Sequence, residues 1–319
     1  MSATATATRP SDLLRIADLT ATQLNALLDL ADEIKDGHIW WSAARHGTAI
    51  ACLFDERSTS TRVSFEVAAH RLGMLPIILR SDELQLGRDE PLADTARVLS
   101  SYTAAIVVRT FAQATLEELA DAASVPVVNA VTDDHHPCQA LADLLTLRRR
   151  FGYLEGIRLA YVGDGNNVAH SLMEAGALAG MHVTVATPRG YEPHPDVTRT
   201  TMELAALLGG SIEVMHDPRS AVIDADAVYT DAWVSMADDA ERERRVADLR
   251  AYQVNDALMR AAAPEAVFMH CLPAHRGLEV TSEVMDGPSA IVWEQAANRL
   301  PTEQATLRTL TGGYHESGE

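Results

Sequence analysis

Short apolar runs alternate with stretches of helical spacing along the chain. "ATQLNALLDLADEIKDG" at 21–37 repeats apolar residues every three or four positions and stops at Gly37, which predicts an amphipathic helix. "TAIACLF", "LPIILR", "AAIVVRT" and "VPVVNA" are short continuous apolar runs and predict buried strands. Between the first two lies "FDERSTSTRVSFEVAAHRLG" at 54–73, which approaches and enters another amphipathic helix. "HPCQALADLLTLRRRFG" predicts a helix with a basic C-terminal end, favourable to the helix dipole, and a stop at Gly152. A second series follows at once, with strands predicted in "IRLAYVGDG", "HVTVATP", "DADAVYTDAW" and "AVFMHCLP". The last patterned segment, "AANRLPTEQATLRTLTG", reads as a helix.

Strands alternating with helices predict an α/β protein with mostly parallel sheets covered on both faces. At 319 residues the chain is long for one core and suits two domains. The expectation is therefore two doubly wound parallel-sheet domains with the active site in the cleft between them. Residues 1–147 form the first and residues 148–295 the second. Residues 296–319 form a C-terminal helix that packs back on the first.

Composition narrows the function. The formal net charge is −19, and Lys35 is the only lysine. Such a chain does not bind nucleic acid through its general field, so an anionic ligand needs a local cationic cluster. Three cysteines far apart, Cys52, Cys138 and Cys271, argue for reduced thiols and a cytoplasmic protein. "MSATATATRP" reads as a polar tail rather than a secretory leader, and no apolar run approaches a membrane span.

The candidate chemistry sits directly after predicted strands, at 55–62, 109–113, 133–139, 163–168, 231–236 and 270–276, where ligands of open parallel sheets gather. Ser58, Thr59, Ser60 and Thr61 crowd a helix start, whose free N–H groups and partial positive charge suit an anion. A single hydroxyl there would read as a helix cap; four in a row favour a phosphate cradle, with Arg57 or Arg62 adding charge. "GDGNN" at 163–167 lacks the third glycine and the later acidic residue of a dinucleotide fingerprint, so no nicotinamide cofactor is expected. Asn166 and Asn167 read instead as polar groups presented to a ligand, or as turn formers. A zinc site in "DDHHPCQ" and "HCLPAHRG" is set aside, because the His and Cys spacings match no paired-ligand pattern. His136 and Gln139, three apart on a first helical turn, are placed to address one carbonyl oxygen and its amide.

Taken in order, these segments resemble the aspartate/ornithine carbamoyltransferase family, closest to its ornithine branch. The resemblance rests on the loop at 58–62, "QLGRDEPLADTARVLSSY", "VVRTF", "HPCQALADLLTL", "DAWVSM" and "HCLPAHRG". It implies transfer of the carbamoyl group of carbamoyl phosphate to the side-chain amine of ornithine, giving citrulline and phosphate, with no cofactor or metal. By the same resemblance Ser58, Thr59, Ser60 and Thr61 hold the phosphate and Arg109 bridges phosphate and carbonyl. His136 polarises that carbonyl and Gln139 holds the carbamoyl amide. Gln85 reaches in from a neighbouring subunit of a homotrimer, or of a multiple of trimers, and Arg299 belongs to the closed site. Asn167, Asp231, Ser235 and Met236 hold the amino-acid end of ornithine. Cys271, the Leu272 carbonyl and Asp231 orient its side-chain amine.

Three departures matter. Ser60 stands where the family has an arginine; losing one charge-assisted hydrogen bond of about 1.5–3 kcal/mol weakens phosphate binding roughly 10- to 100-fold. Glu56 stands where lysine is usual, while Arg57 offers partial compensation, and Ala237 replaces a glycine beside the second substrate. The alternatives left open are a carbamoyltransferase for another diamino acid and a ligand-binding relative that has lost activity.

Overall fold

The computed structural model describes residues 11–38, 48–54, 59–80, 91–234 and 241–312. It divides into two compact units, Met1–Leu141 with Asn298–Glu319, and Ala142–Ala297.

The first unit opens with α1 (Ala21–Lys35), whose start is fixed by a reciprocal capping box. The Gln23 N–H donates to Thr20 Oγ1 at 3.2 Å and the Thr20 N–H donates to Gln23 Oε1 at 2.8 Å. Its apolar stripe buries Leu24, Leu27, Leu28, Leu30 and Ala31, and it ends before Gly37 at φ 74°, a left-handed stop that glycine adopts without strain. Then come β1 (Ala49–Phe54), α2 (Ser60–Arg71), β2 (Leu75–Arg80), α3 (Leu92–Tyr102), β3 (Ala105–Arg109), α4 (Gln113–Ala122), β4 (Val127–Val131) and the first turn of α5 (Pro137–Phe151). Among the described residues these strands form a four-stranded parallel sheet in the order β2-β1-β3-β4. Ile50, Ala51, Cys52, Ile106 and Val107 are fully buried, as expected for parallel strands covered on both faces. The strand order reverses between β1 and β3, where Phe54 pairs with Arg109. That is the switch point at which such sheets open a crevice.

The second unit runs β5 (Arg158–Val162), α6 (Asn167–Leu178), β6 (His182–Ala186), α7 (Pro195–Leu208), β7 (Ser211–Met215), α8 (Pro218–Ala221), β8 (Ala227–Thr230), α9 (Arg242–Leu249), α10 (Asp256–Met259), β9 (Val267–His270), α11 (Ser282–Met285) and the start of α12 (Val292–Leu310). From Asn298 onward α12 belongs to the first unit. The sheet is parallel in the order β7-β6-β5-β8-β9, so its switch point lies between β5 and β8. Apolar runs do not predict β7, an edge strand whose "SIEVM" is largely half-buried or exposed. The sequence expectation of two parallel-sheet α/β units holds.

Candidate active site

At the switch point of the first unit, α2 begins at Ser60, preceded by Thr59. Thr59 already has helical angles (φ −81°, ψ −52°) and makes no side-chain cap bond, so capping does not account for its hydroxyl. Thr59 and Ser60 are exposed, while Thr61 is buried. The Arg62 guanidinium turns along the helix surface and its Nε donates to Glu66 at 2.8 Å. Arg57 and Ser58 lie outside the described residues, as do Gln85, Ser235, Met236 and Ala237.

Arg109 ends β3, half-buried. His136 directly precedes α5, and its carbonyl accepts the N–H groups of Gln139 and Ala140 at 3.1 and 3.2 Å. Burial, with the Arg299 and Arg109 cations, holds the His136 imidazole well below its usual range, so the ring is neutral at pH 7. Gln139 is buried, and its side-chain oxygen accepts from Arg299 Nη1 at 2.9 Å. Arg299 donates its Nε and Nη2 to Glu303 Oε1 at 3.1 and 2.8 Å, all on buried side chains. Burial pushes the Glu303 carboxyl up to about 7 even though Arg299 pulls it down. Cys138 donates to the Asn129 carbonyl at 3.3 Å, and burial raises its thiol to about 12, which makes it structural.

The second cluster stands at the ends of β5, β8 and β9. Asn166 caps α6: its side-chain oxygen accepts the N–H groups of Val168 and Ala169 at 3.0 and 3.2 Å, and the Tyr161 hydroxyl at 3.1 Å. Its amide nitrogen donates to Asp231 Oδ2 at 2.7 Å. The other oxygen of Asp231 accepts the Ala232 N–H at 2.7 Å and the Cys271 thiol at 2.8 Å. Asn167, the first residue of α6, is half-buried. Leu272 follows Cys271 at φ 62°, a left-handed conformation costing about 1–3 kcal/mol for such a residue, of the kind that concentrates at functional sites. Supporting bonds fix the strand ends. Gln295 accepts the His270 N–H at 3.0 Å and donates to Asp143 and the Tyr229 hydroxyl at 2.7 and 3.0 Å.

The glycines of "GDGNN" have a packing reason. A Cβ on Gly165 would lie 2.4 Å from the Pro193 nitrogen, and the Gly165 N–H donates to the Tyr191 carbonyl at 2.8 Å. Possible ligand atoms of Asp231, His270 and Cys271 do lie within 4.8 Å of one another, closer than the spacings suggest. Two hydrogen bonds already engage them: His270 Nδ1 accepts the Leu272 N–H at 2.9 Å, and the thiol of Cys271 is bonded to Asp231.

Sequence reasoning misses two residues here. Glu303 holds Arg299, and Arg245 donates to the Trp233 carbonyl at 2.8 Å while pairing with Asp164. Asn166, read from the sequence as a polar group presented to a ligand or as a turn former, caps α6 and holds Asp231. Only Glu303 carried a signal, its i,i+4 spacing from Arg299.

Comparison with known proteins follows this geometry. Residues 11–149 match the family model of the aspartate/ornithine carbamoyltransferase carbamoyl-P binding domain, and residues 155–310 match that of its Asp/Orn binding domain. The chain is 49% identical to an ornithine carbamoyltransferase of Gloeobacter violaceus, covering 98% of this chain and 100% of that protein. It is 52% identical to one of Methanothermobacter thermautotrophicus, covering 90% and 94%. The ornithine carbamoyltransferase structure from Pyrococcus furiosus superimposes with a TM-score of 0.92 at 47% identity, covering 96% of this chain and 99% of that one. With both domain models matched in order and near-full-length identity around one half, the chain belongs to the aspartate/ornithine carbamoyltransferase family.

Proposed function

We propose that the protein transfers the carbamoyl group of carbamoyl phosphate to the side-chain amine of L-ornithine, giving citrulline and phosphate. The observation that carries this reading is the Asp231 carboxylate held between Asn166 and Cys271, a fixed anion and thiol beside the helix start of α6. The aligned relatives named ornithine carbamoyltransferase support the same acceptor.

Carbamoyl phosphate binds to the first unit, its phosphate at Ser58, Thr59, Ser60 and Thr61. Arg109 spans phosphate and carbonyl. A neutral His136 donates to the carbonyl oxygen and strengthens that bond as the oxygen gains charge. The Arg299 guanidinium orients the Gln139 oxygen, which accepts from the carbamoyl amide. Gln85 completes this half from a neighbouring subunit of a trimer. In the second unit Asn167, Asp231, Ser235 and the Met236 backbone hold the amino-acid end of ornithine. A lysine-like ammonium needs roughly 4–5 kcal/mol to become the neutral amine at pH 7. Cys271 and the Leu272 carbonyl orient that amine, and the Asp231 carboxylate receives its proton. The nitrogen attacks the carbamoyl carbon, the bond to the phosphate oxygen breaks, and phosphate leaves, taking up the second proton that the nitrogen sheds. Positioning and oxyanion stabilisation supply the acceleration.

We place the reaction in arginine biosynthesis, in line with the relative named anabolic, and in the cytoplasm, in line with three free cysteines. Among the described residues no helix is long and apolar enough to cross a membrane. The test is an initial-rate assay with carbamoyl phosphate and a panel of ornithine, 2,4-diaminobutyrate and lysine. The reading requires ornithine to give the highest kcat/KM. A preference for another amine selects a specialised carbamoyltransferase, and no product from any of them overturns the function.

A further inference from the structure

One buried acid in the first unit has no part in the mechanism above. Glu303 lies on α12 one turn beyond Arg299, its side chain fully buried, and one of its oxygens accepts from both Nε and Nη2 of that arginine. The third nitrogen of the same guanidinium, Nη1, donates to Gln139. Arg299 therefore points at Gln139 because Glu303 holds the other edge of the plane. A guanidinium in this double grip keeps its geometry but has its charge answered by a carboxylate inside the protein.

We propose that Glu303 is a positioning residue for the first substrate: it clamps Arg299 so that the Gln139 oxygen faces the carbamoyl amide, and its negative charge offsets a cation that would otherwise draw the phosphate. This rests on the carbamoyl-phosphate reading and deepens it. Ser60 acts in the same direction, because it brings a hydroxyl and no charge to the start of α2.

Every element around Glu303 contributes groups that fix the sign of its pH response. Arg299 is on its own helix. Ser64 comes from α2, Cys52 from β1 and Cys138 from the first turn of α5, while Glu66 of α2 acts on Cys52 and His136, just before α5, faces Arg299. Lys35 of α1 bonds Asn298, the residue before Arg299. Burial raises both thiols beyond the neutral range and keeps His136 neutral, while Glu303 itself changes charge near pH 7. Between pH 6 and 8.5 the offset therefore switches on.

The experiment compares the dissociation constant of carbamoyl phosphate for the wild-type protein and Glu303→Gln by calorimetry at pH 6 and 8.5. Taking the ratio of the two proteins at each pH cancels the ionisation of the ligand. The ratio of wild-type to variant Kd should be near one at pH 6 and rise about fivefold or more at pH 8.5. Glu303→Met, also uncharged, should show the same rise in the ratio between the two pH values if the glutamine variant does not fold. It should also lower kcat, because the carboxylate that grips Nε and Nη2 of Arg299 is then gone. A ratio that stays constant with pH, in whichever variant folds, overturns the role of Glu303 alone. No binding of carbamoyl phosphate by any of these proteins overturns the parent reading with it.

Discussion

The side chains that matter most here are controlled by one or two neighbours each. Asp231 accepts from Asn166, Ala232 and Cys271, so its carboxylate is fixed before any substrate arrives. Cys271→Ala removes a hydrogen bond to a charged group, worth about 1.5–3 kcal/mol. We expect kcat/KM for ornithine to fall roughly 10- to 100-fold while KM for carbamoyl phosphate stays within about twofold, measured by steady-state kinetics. Glu303 predicts a stability effect of definite sign. It is an acid whose folded-state pKa, about 7, lies above its ordinary value of 4.5. Between those values the folded chain holds a proton that the unfolded chain has released, so stability falls as pH rises through the window. The fall should be about 3 kcal/mol, and Glu303→Gln should flatten it in urea unfolding at pH 5 and pH 8. Equal pH dependence in both proteins would refute this. Sequence pattern shows Arg109, His136 and Gln139 because each follows a strand or opens a helix. Glu303 escapes because a glutamate in a helical repeat reads as a solvent-facing charge.

At the scale of elements, α6 links fold to site. Its cap, Asn166, also steadies Asp231, so two functions share one side chain. Asn166→Ala should lower stability by about 1–2 kcal/mol and reduce activity. Asn166→Ser keeps a capping oxygen but loses the donation to Asp231. It should retain most of the stability while kcat/KM for ornithine still falls, which separates the two roles. Near the other end of the helix, a Cβ at Gly176 would lie 2.3 Å from Val183 Cγ2 on β6. Gly176→Ala should destabilise the second unit by about 1–3 kcal/mol, read as a lower urea midpoint, since Val183 is stiff and buried. An unchanged midpoint would mean that α6 can move off the sheet. The elements themselves were largely legible. Continuous apolar runs gave β1, β3, β5 and β9, since strands buried on both faces have no alternation to lose. The edge strand β7 lacks such a run. The hydroxyl-rich stretch at 58–61 marks the start of α2, which begins at Ser60, and Thr59 is already helical and caps nothing through its side chain.

For the molecule as a whole, two parallel sheets each place chemistry at a point where strand order reverses. Phe54 and Arg109 mark it in one unit, and the ends of β5 and β8 mark it in the other. The chain carries a formal charge of −19, so an anionic substrate is held by a few local cations rather than by the general field. Ser60 and Glu303 both reduce that local cationic charge. The account therefore predicts a working carbamoyltransferase with modest affinity for its first substrate, not a protein that has lost its chemistry. The most direct measurement mixes the purified protein with carbamoyl phosphate labelled with carbon-13 and unlabelled ornithine, and follows the label by NMR alongside released phosphate. The account predicts that the label appears in the ureido carbon of citrulline, with one phosphate released for each citrulline formed. Label found only in the breakdown products of carbamoyl phosphate, at the rate seen without protein, would contradict it.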